Sequence, residues 1–208
     1  MKRTNWDQLA EEYASRDFPE RDWNFGYENV LNLLRKIAGE KILDYGCGSG
    51  KFSRVLAERG AQVLGIDTNE TMLDLARRQD CKNIYYGLPE DISSLGYFDG
   101  AVLNYVICGM RDDIEVKEVL RGIYTQLKLN GLLIVLDPHP ATRTIRTDGE
   151  PNEVVLEGMT KPVLDYWRPV DKYISIVSRV GFTIDNVLEP KNEEGIPQML
   201  IIKGKKNV

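Results

Sequence analysis

The residues best placed to do chemistry fall in one run, Lys41 to Gly50, KILDYGCGSG. An apolar stretch ends there on Asp44 and Tyr45 and is followed by glycines at 46, 48 and 50. Alternate glycines let a backbone turn tightly and approach a ligand that side chains would hold off. Roughly twenty residues further on, VLGID ends in Asp67, and an acid at the tip of the next strand suits the two hydroxyls of a ribose. Together they describe a nucleotide site built largely from main chain. A dinucleotide fingerprint would place its third glycine at position 51, and Lys51 stands there, so the pattern is G-x-G-x-G behind an acid.

Such a site works only if strands and helices alternate around it. KILDY predicts a strand. Phe52, Val55 and Leu56 mark one face of a helix that ends at Gly60, and residues 62 to 66 read as a second strand. Thr68 and Asn69 can cap the next helix, which carries Met72, Leu73, Leu75 and Ala76. Strands near 83–86, at 98–105 and at LLIVLD follow, with a helix over 114–127 behind Asp112 and Asp113. This alternation requires a parallel sheet covered on both faces, with right-handed crossovers. After a last helix at 170–180, GFTIDNVLEP and QMLIIKG are consecutive strands with no helix between them, hence antiparallel neighbours.

The chain opens with Trp6, Leu9, Ala10 and Tyr13 at helical spacing, then an aromatic loop FPERDWNFGY, then a helix over 27–38 stopped by Gly39. The expected fold is one three-layer α/β/α, Rossmann-like domain over 1–208, whose seven-stranded sheet has five parallel strands and a C-terminal antiparallel hairpin. A helical cap occupies about 1–38. A polar, irregular, substrate-side insertion occupies about 138–168, too long for a simple connector.

Composition narrows the partners. With 27 Lys and Arg against 32 Asp and Glu, the net charge of −5 disfavours duplex nucleic acid, which is held by phosphate-neutralising cations. Three cysteines without C-x-x-C spacing and one histidine argue against a disulfide framework or a metal site. No stretch has membrane-spanning length and MKRTNWDQLAEEY has no apolar leader core, so a cytoplasmic protein, monomer or homodimer, is expected.

LDYGCGSG resembles the first motif of the class I S-adenosylmethionine-dependent methyltransferases, and GIDTNETMLDLAR their second. NIYYGLPEDISSLGYFDGAVLNYVICGM and LKLNGLLIVLDPHP are similar to the stretches around their fourth and fifth strands. The likeness covers residues 5 to 137 well and GFTIDNVLEP loosely, and it points to the small-molecule, UbiE-like members. It implies S-adenosylmethionine as donor and S-adenosylhomocysteine as product. On this resemblance Asp44 accepts from the methionine ammonium, directly or through the turn it braces. Gly46, Cys47, Gly48 and Gly50 carry the backbone past the ribose and methionine parts, with Cys47 a small filler. Asp67 takes the ribose hydroxyls or caps the following helix; Thr68 and Met72 lie along the adenine, a core role for Met72 being the alternative. Asn104 and Tyr105 hold the amino acid end or shape the methyl channel. Tyr13, with Trp6, closes over the cofactor or simply docks its helix. Where the family usually has an acid, this chain has Leu88, so the adenine contact passes to Glu90 or Asp91, followed by Ile92, or to backbone.

Methyl transfer from a sulfonium is an in-line displacement with an activated leaving group, so a base is needed only when the acceptor must lose a proton. His139, the sole histidine, follows the fifth strand and is the candidate base, its ordinary pKa of about 6.5 suiting the task. Acceptor candidates are Trp23, Phe25 and Tyr27, Arg143 and Arg146 in the insertion, and Tyr166, Trp167 and Arg168 before the last helix. Aromatic walls with arginines suggest a small acceptor with a ring and a carboxylate or phosphate. Transfer to a small molecule is the expected activity, oxygen ranking ahead of nitrogen or carbon. A nicotinamide-dependent oxidoreductase and a non-catalytic S-adenosylmethionine-binding partner subunit are the alternatives.

Overall fold

The computed structural model describes residues 4–79, 81–94 and 96–207. Its centre is a seven-stranded sheet formed by β1 (Lys41–Tyr45), β2 (Gln62–Ile66), β3 (Ile84–Gly87), β4 (Phe98–Asn104), β5 (Leu127–Pro138), β8 (Thr183–Leu188) and β9 (Met199–Lys205), in the order β3-β2-β1-β4-β5-β9-β8. The first five are parallel, and β9 runs antiparallel to both β5 and β8. The chain reverses direction across the sheet between β1 and β4, where Asp44 is in register with Gly65 on one side and Val102 on the other. Ligands bind beyond the carboxyl ends of the strands at such a switch point.

Successive residues of a strand face opposite layers, and the two cores divide accordingly. Leu43, Leu103, Leu133 and Val135 pack with Val116, Leu120 and Ile123 of α6 (Asp113–Gln126) and Tyr173, Ile176 and Val177 of α7 (Val170–Val180). Ile42, Val102, Ile134 and Leu136 pack on the other face with Val30 and Leu34 of α3 (Glu28–Leu34) and Phe52 and Leu56 of α4 (Lys51–Glu58). On β2's flank, α5 (Glu70–Arg77) is capped as expected by Asn69, whose side chain accepts from Met72 N at 2.8 Å.

Two regions differ from expectation. FPERDWNFGY is helical: behind Pro19 a short α2 (Glu20–Asp22) runs through a π-turn (Trp23–Tyr27) into α3. Its aromatics pack inward, Tyr27 stacking on Phe52 at 4.9 Å between centroids. A π-turn carries one extra residue and breaks the 3.6-residue pattern, which is why the segment reads as a loop. The helix ends at Leu34 and not at residue 38, because Arg35 takes φ 60°.

The expected irregular insertion contains a second, two-stranded sheet of β6 (Pro151–Val155) and β7 (Pro162–Tyr166). This hairpin packs on the N-terminal segment: Met159 and Val163 share a small core with Leu9, flanked by Trp6 and Tyr13 of the segment that includes α1 (Ala10–Ser15). Thr4 Oγ1 accepts from Leu164 N at 2.9 Å. Two segments far apart in sequence thus form one roof over the sheet's carboxyl edge.

Candidate cofactor and acceptor site

Under that roof lies a cavity of about 770 Å³, a size suited to a small ligand pair. Its floor is the turn after β1. Gly46 N and Cys47 N both donate to Ile66 O, at 2.6 and 2.9 Å, so the turn is fastened to the end of β2. Gly46 has φ 76°, and a Cβ there would overlap a methyl of Val106. Gly48 has φ 53° and faces the ring of Tyr13 across the cavity. Val106 leaves no room for a side chain at Gly46, and the positive φ at both positions is what glycine allows.

Two carboxylates organise the floor. Asp67 Oδ2 accepts from Gly48 N at 2.8 Å and Oδ1 from Asn69 N at 2.9 Å, so it braces the glycine turn and starts α5. The two carboxylate oxygens have four acceptor sites, and the backbone donors at Gly48, Thr68 and Asn69 leave room for a further donor. Burial raises its pKa, and the backbone donors at Asn69, Gly48 and Thr68 oppose that rise. Asp44 is 2% exposed and accepts from Ser53 Oγ at 2.6 Å. Burial pushes its carboxyl up to about 7, against the Ser53 hydrogen bond, and the neighbouring Asp67 charge adds to the rise. A buried carboxyl poised there gains from a cation beside it. The Cys47 thiol is held well above its usual range, first by burial and then by Asp44 and Asp67, so it stays protonated.

The wall carries polar groups with no partner inside the chain. Among the described residues, both amide atoms of Asn104 and the hydroxyl of Ser49 are buried and make no hydrogen bond, and both residues line the cavity. Buried polar atoms are normally paired, so these are sites for a ligand's donors and acceptors.

Residues 43–135 match the family described as a methyltransferase domain. Along nearly its whole length the chain is similar to the N-demethylindolmycin N-methyltransferase of Streptomyces griseus, at 31% identity over 97% of this chain and 98% of that one. The chain belongs to the class I S-adenosylmethionine-dependent methyltransferases. Among solved structures, the CcbJ methyltransferase of Streptomyces caelestis superposes with a TM-score of 0.77 at 16% identity, covering 99% of both chains. The N-methyltransferase NodS of Bradyrhizobium japonicum, solved with S-adenosylhomocysteine, gives 0.65 at 19% identity, covering 96% of this chain and 97% of that one. At those identities the likeness is one of fold.

S-adenosylmethionine is the cofactor of this methyltransferase, and the residues fit it. The turn through Gly46 and Gly48 lines the cavity with main chain, and the unpaired Asn104 amide offers a donor and an acceptor. Of the residues singled out by sequence, Tyr13, Asp44, Gly46, Cys47, Gly48, Asp67, Thr68, Met72, Asn104, Tyr105 and Arg143 converge on the cavity wall.

Others stand elsewhere. Gly50 packs against Tyr86, whose hydroxyl a Cβ would strike. Asp91 Oδ2 accepts from Leu88 N at 2.9 Å and closes the turn at Pro89–Ser93; Glu90 is exposed, and Ile92 packs on the core. Trp23 packs beside Phe18 and Tyr27. Tyr166 is buried, and Trp167 Nε1 donates to Pro140 O at 3.2 Å. Arg168 is 1% exposed, with Nε on Asp113 at 2.9 Å and its Nη groups on the carbonyls of Ile107 and Met110. It is a strut that holds the turn after β4. Arg143 does reach the wall, but its Nη2 is paired with Asp165 at 2.5 Å.

His139 lies behind the wall. Its Nδ1 accepts from Ala141 N at 3.1 Å, so the proton sits on Nε2, which faces Glu189 Oε2 at 3.1 Å. Burial lowers its pKa and Glu189 opposes that. With one nitrogen accepting and the other donating, no lone pair is left for a substrate proton.

Lys51 is the contributor that sequence reading passed over. Its Nζ donates to Tyr13 O at 3.2 Å and to Arg16 O, and it stands 5.7 Å from the Tyr13 ring centroid. The first residue of α4 thereby fastens the end of α1 to the glycine turn. Burial, then the Arg16 charge, lowers its pKa to about 8. The signal was only that a lysine stood where a third glycine might; its acceptors are more than thirty residues away.

Proposed function

We propose that the protein transfers the methyl group of S-adenosylmethionine to a nitrogen of a small organic amine. The observation carrying this reading is that both ring nitrogens of His139 are engaged, which leaves no imidazole free to deprotonate a hydroxyl near neutral pH. The phenols of Tyr13, Tyr27 and Tyr105 on the wall are all held above their usual range, chiefly by burial, and stay protonated. A neutral amine attacks without losing a proton first, so it suits such a wall better than an alcohol or phenol does. The S. griseus relative's name, an N-methyltransferase, agrees in kind. A carboxylated acceptor loses support, because Arg143 is paired with Asp165, Arg146 donates to the carbonyls of Arg143 and Ala141, and Arg168 is buried.

Bound S-adenosylmethionine supplies a methyl group already activated by the sulfonium. The chain's share is to orient and exclude water. Asp44 and Asn104 would fix the methionine end and Asp67 the ribose, while Tyr13, held down through Lys51, covers the glycine turn. The three cysteines remain free thiols, which fits the cytoplasmic setting we assign.

The test uses donor with a ¹³C-labelled methyl group, offered with N-demethylindolmycin and a panel of ring-bearing amines, phenols and carboxylates. Carbon NMR of the product should show an N-methyl resonance from an amine. Methylation of a phenol or carboxylate in preference overturns the nitrogen reading.

A further inference from the structure

The wall of the cavity carries a carboxylate with capacity to spare, in a stretch whose sequence reads as a loop. Asp22 ends α2 where the π-turn begins, its side chain is 15% exposed, and it lines the cavity. Arg21 Nε and Nη2 both donate to Oδ1, at 3.2 and 3.0 Å. Oδ2 accepts from nothing among the described residues. The other acids on this part of the wall are placed differently. Asp165 is ion-paired with Arg143 through Oδ2, Asp17 and Glu157 sit at the exposed rim, and Asp7 holds Asn69 and Thr71.

Three cavity tyrosines stand within reach of the Asp22 charge. Tyr13, Tyr27 and Tyr105 owe their raised pKa values first to burial, and the Asp22 carboxylate adds to the rise in all three. The Asp22 carboxylate thus lies near three phenols that come from α1, the π-turn and the end of β4. Tyr27 and Tyr105 meet edge to face at 5.8 Å, so the cavity there is bounded by rings with a carboxylate at its margin, a setting that favours a cation.

We propose that Asp22 is the specificity-determining residue of the acceptor site, its Oδ2 taking an N–H of an amine acceptor and so selecting amines over hydroxyl compounds. The proposal rests on the nitrogen reading above and adds the residue that enforces it. As the new N–C bond forms from the nitrogen lone pair, the S–C electron pair stays on sulfur and the nitrogen becomes cationic. Asp22 stabilises that charge, and the surplus N–H proton leaves through it to solvent. A hydrogen bond to an ionised carboxylate is stronger than one between neutral groups, and a methylated amine keeps its charge near neutral pH where the oxonium from an alcohol does not.

The probe that tests this without a known acceptor is sinefungin, an S-adenosylmethionine analogue in which an amine-bearing carbon replaces the sulfonium sulfur. Its ammonium stands in place of the transferred methyl and points into the acceptor site. Calorimetric binding of sinefungin and S-adenosylhomocysteine is compared in the wild type and in Asp22→Asn, with retained S-adenosylhomocysteine binding as the control for folding. Sinefungin should bind Asp22→Asn ~10-fold or more weakly, the range for losing a hydrogen bond to a charged group, while S-adenosylhomocysteine changes by less than about twofold. In Arg21→Ala, which leaves the carboxylate and removes its competitor, sinefungin should bind at least as tightly as in the wild type. Equal changes for both ligands in Asp22→Asn, or none, overturn the Asp22 assignment. The nitrogen reading fails separately, by the position of the label in the product.

Discussion

Asp44 makes cofactor binding a proton-linked event, and the size of the effect follows from its surroundings. The carboxyl is buried, has one hydrogen bond from Ser53, and titrates at about 7 in the free protein. An ammonium placed beside it favours the ionised form and returns its pKa toward about 4, the ordinary carboxyl value. The sign follows from linkage. A raised folded-state pKa means that the free protein is most stable below about pH 4 and loses that stability as pH rises toward 7. The bound form is spared this loss, so affinity climbs with pH over the same window. Between pH 7 and 5 each unit costs up to about tenfold, and since the group is already half protonated at pH 7 the loss is ~50-fold in all, or about 2.3 kcal/mol at about 1.36 kcal/mol per unit.

The assay is calorimetric titration of S-adenosylhomocysteine from pH 5 to 8 in two buffers with different heats of protonation. The wild type should release close to one proton per ligand near pH 6 and reach an affinity plateau above about pH 7. Asp44→Asn, which can still accept from Ser53, should bind more weakly at pH 8 and show a nearly flat profile. Ser53→Ala withdraws a donor that favours the charged form and should move the midpoint to higher pH. A flat wild-type profile with full affinity at pH 5 refutes the reasoning. So does a slope that survives in Asp44→Asn, since the titrating group would then be another, with Asp67 the nearest candidate.

Lys51→Met removes two donations to the carbonyls of Tyr13 and Arg16, which at a half-exposed site amounts to ~1–2 kcal/mol. S-adenosylhomocysteine should leave ~5–30-fold faster, with amide exchange quickened over residues 9–18 and Lys51→Arg restoring most of the loss; unchanged dissociation would show that the roof closes without this fastening. Asp137 is wholly buried, with Oδ2 taking Cys108 N and Tyr173 OH at 3.0 Å each and Oδ1 unpaired; burial, then Asp165, raises its pKa to about 7. Its stabilising contribution is full below about pH 4 and fades as pH rises to 7, so Asp137→Asn should gain ~1 kcal/mol, or ~2–4 °C, at pH 8 and little at pH 4.5. Scanning calorimetry at the two pH values decides this, and a melting temperature that does not rise at pH 8 counts against it.

What was legible in the sequence was local. β1, the glycine turn and Asp67 announce themselves because an apolar run, three glycines and one acid each constrain a neighbour a few residues away. The caps at Asn69 and Asp112 were readable for the same reason. Arg168 and His139 were not, because their partners are set by the sheet. The antiparallel pairing of β5 with β9 brings His139 N to Gln198 O at 3.0 Å and its ring to Glu189, fifty residues away in sequence. Arg168 serves carbonyls at 107 and 110 only because the turn after β4 packs beside the end of β7. A charged or titratable side chain read in isolation looks available, and burial decides otherwise.

The same contrast divides the site into two parts with different tolerance. The cofactor floor is made within one stretch, from Asp44 to Met72, and its critical contacts are main-chain donors aimed by glycines and by Asp67. Side-chain replacement there meets steric limits at once, as the overlap of a Cβ at Gly46 with Val106 shows. The acceptor side is assembled from α2 and its π-turn, the turn after β4 and the β6–β7 hairpin, which touch through side chains and a small core of Leu9, Met159 and Val163. Residues such as Asp22 can change there without disturbing the glycine turn. It follows that acceptor choice is set by α2, its π-turn and the hairpin and donor choice by the floor, so substitutions in α2 or the hairpin should alter which molecule is methylated while leaving S-adenosylhomocysteine affinity in place.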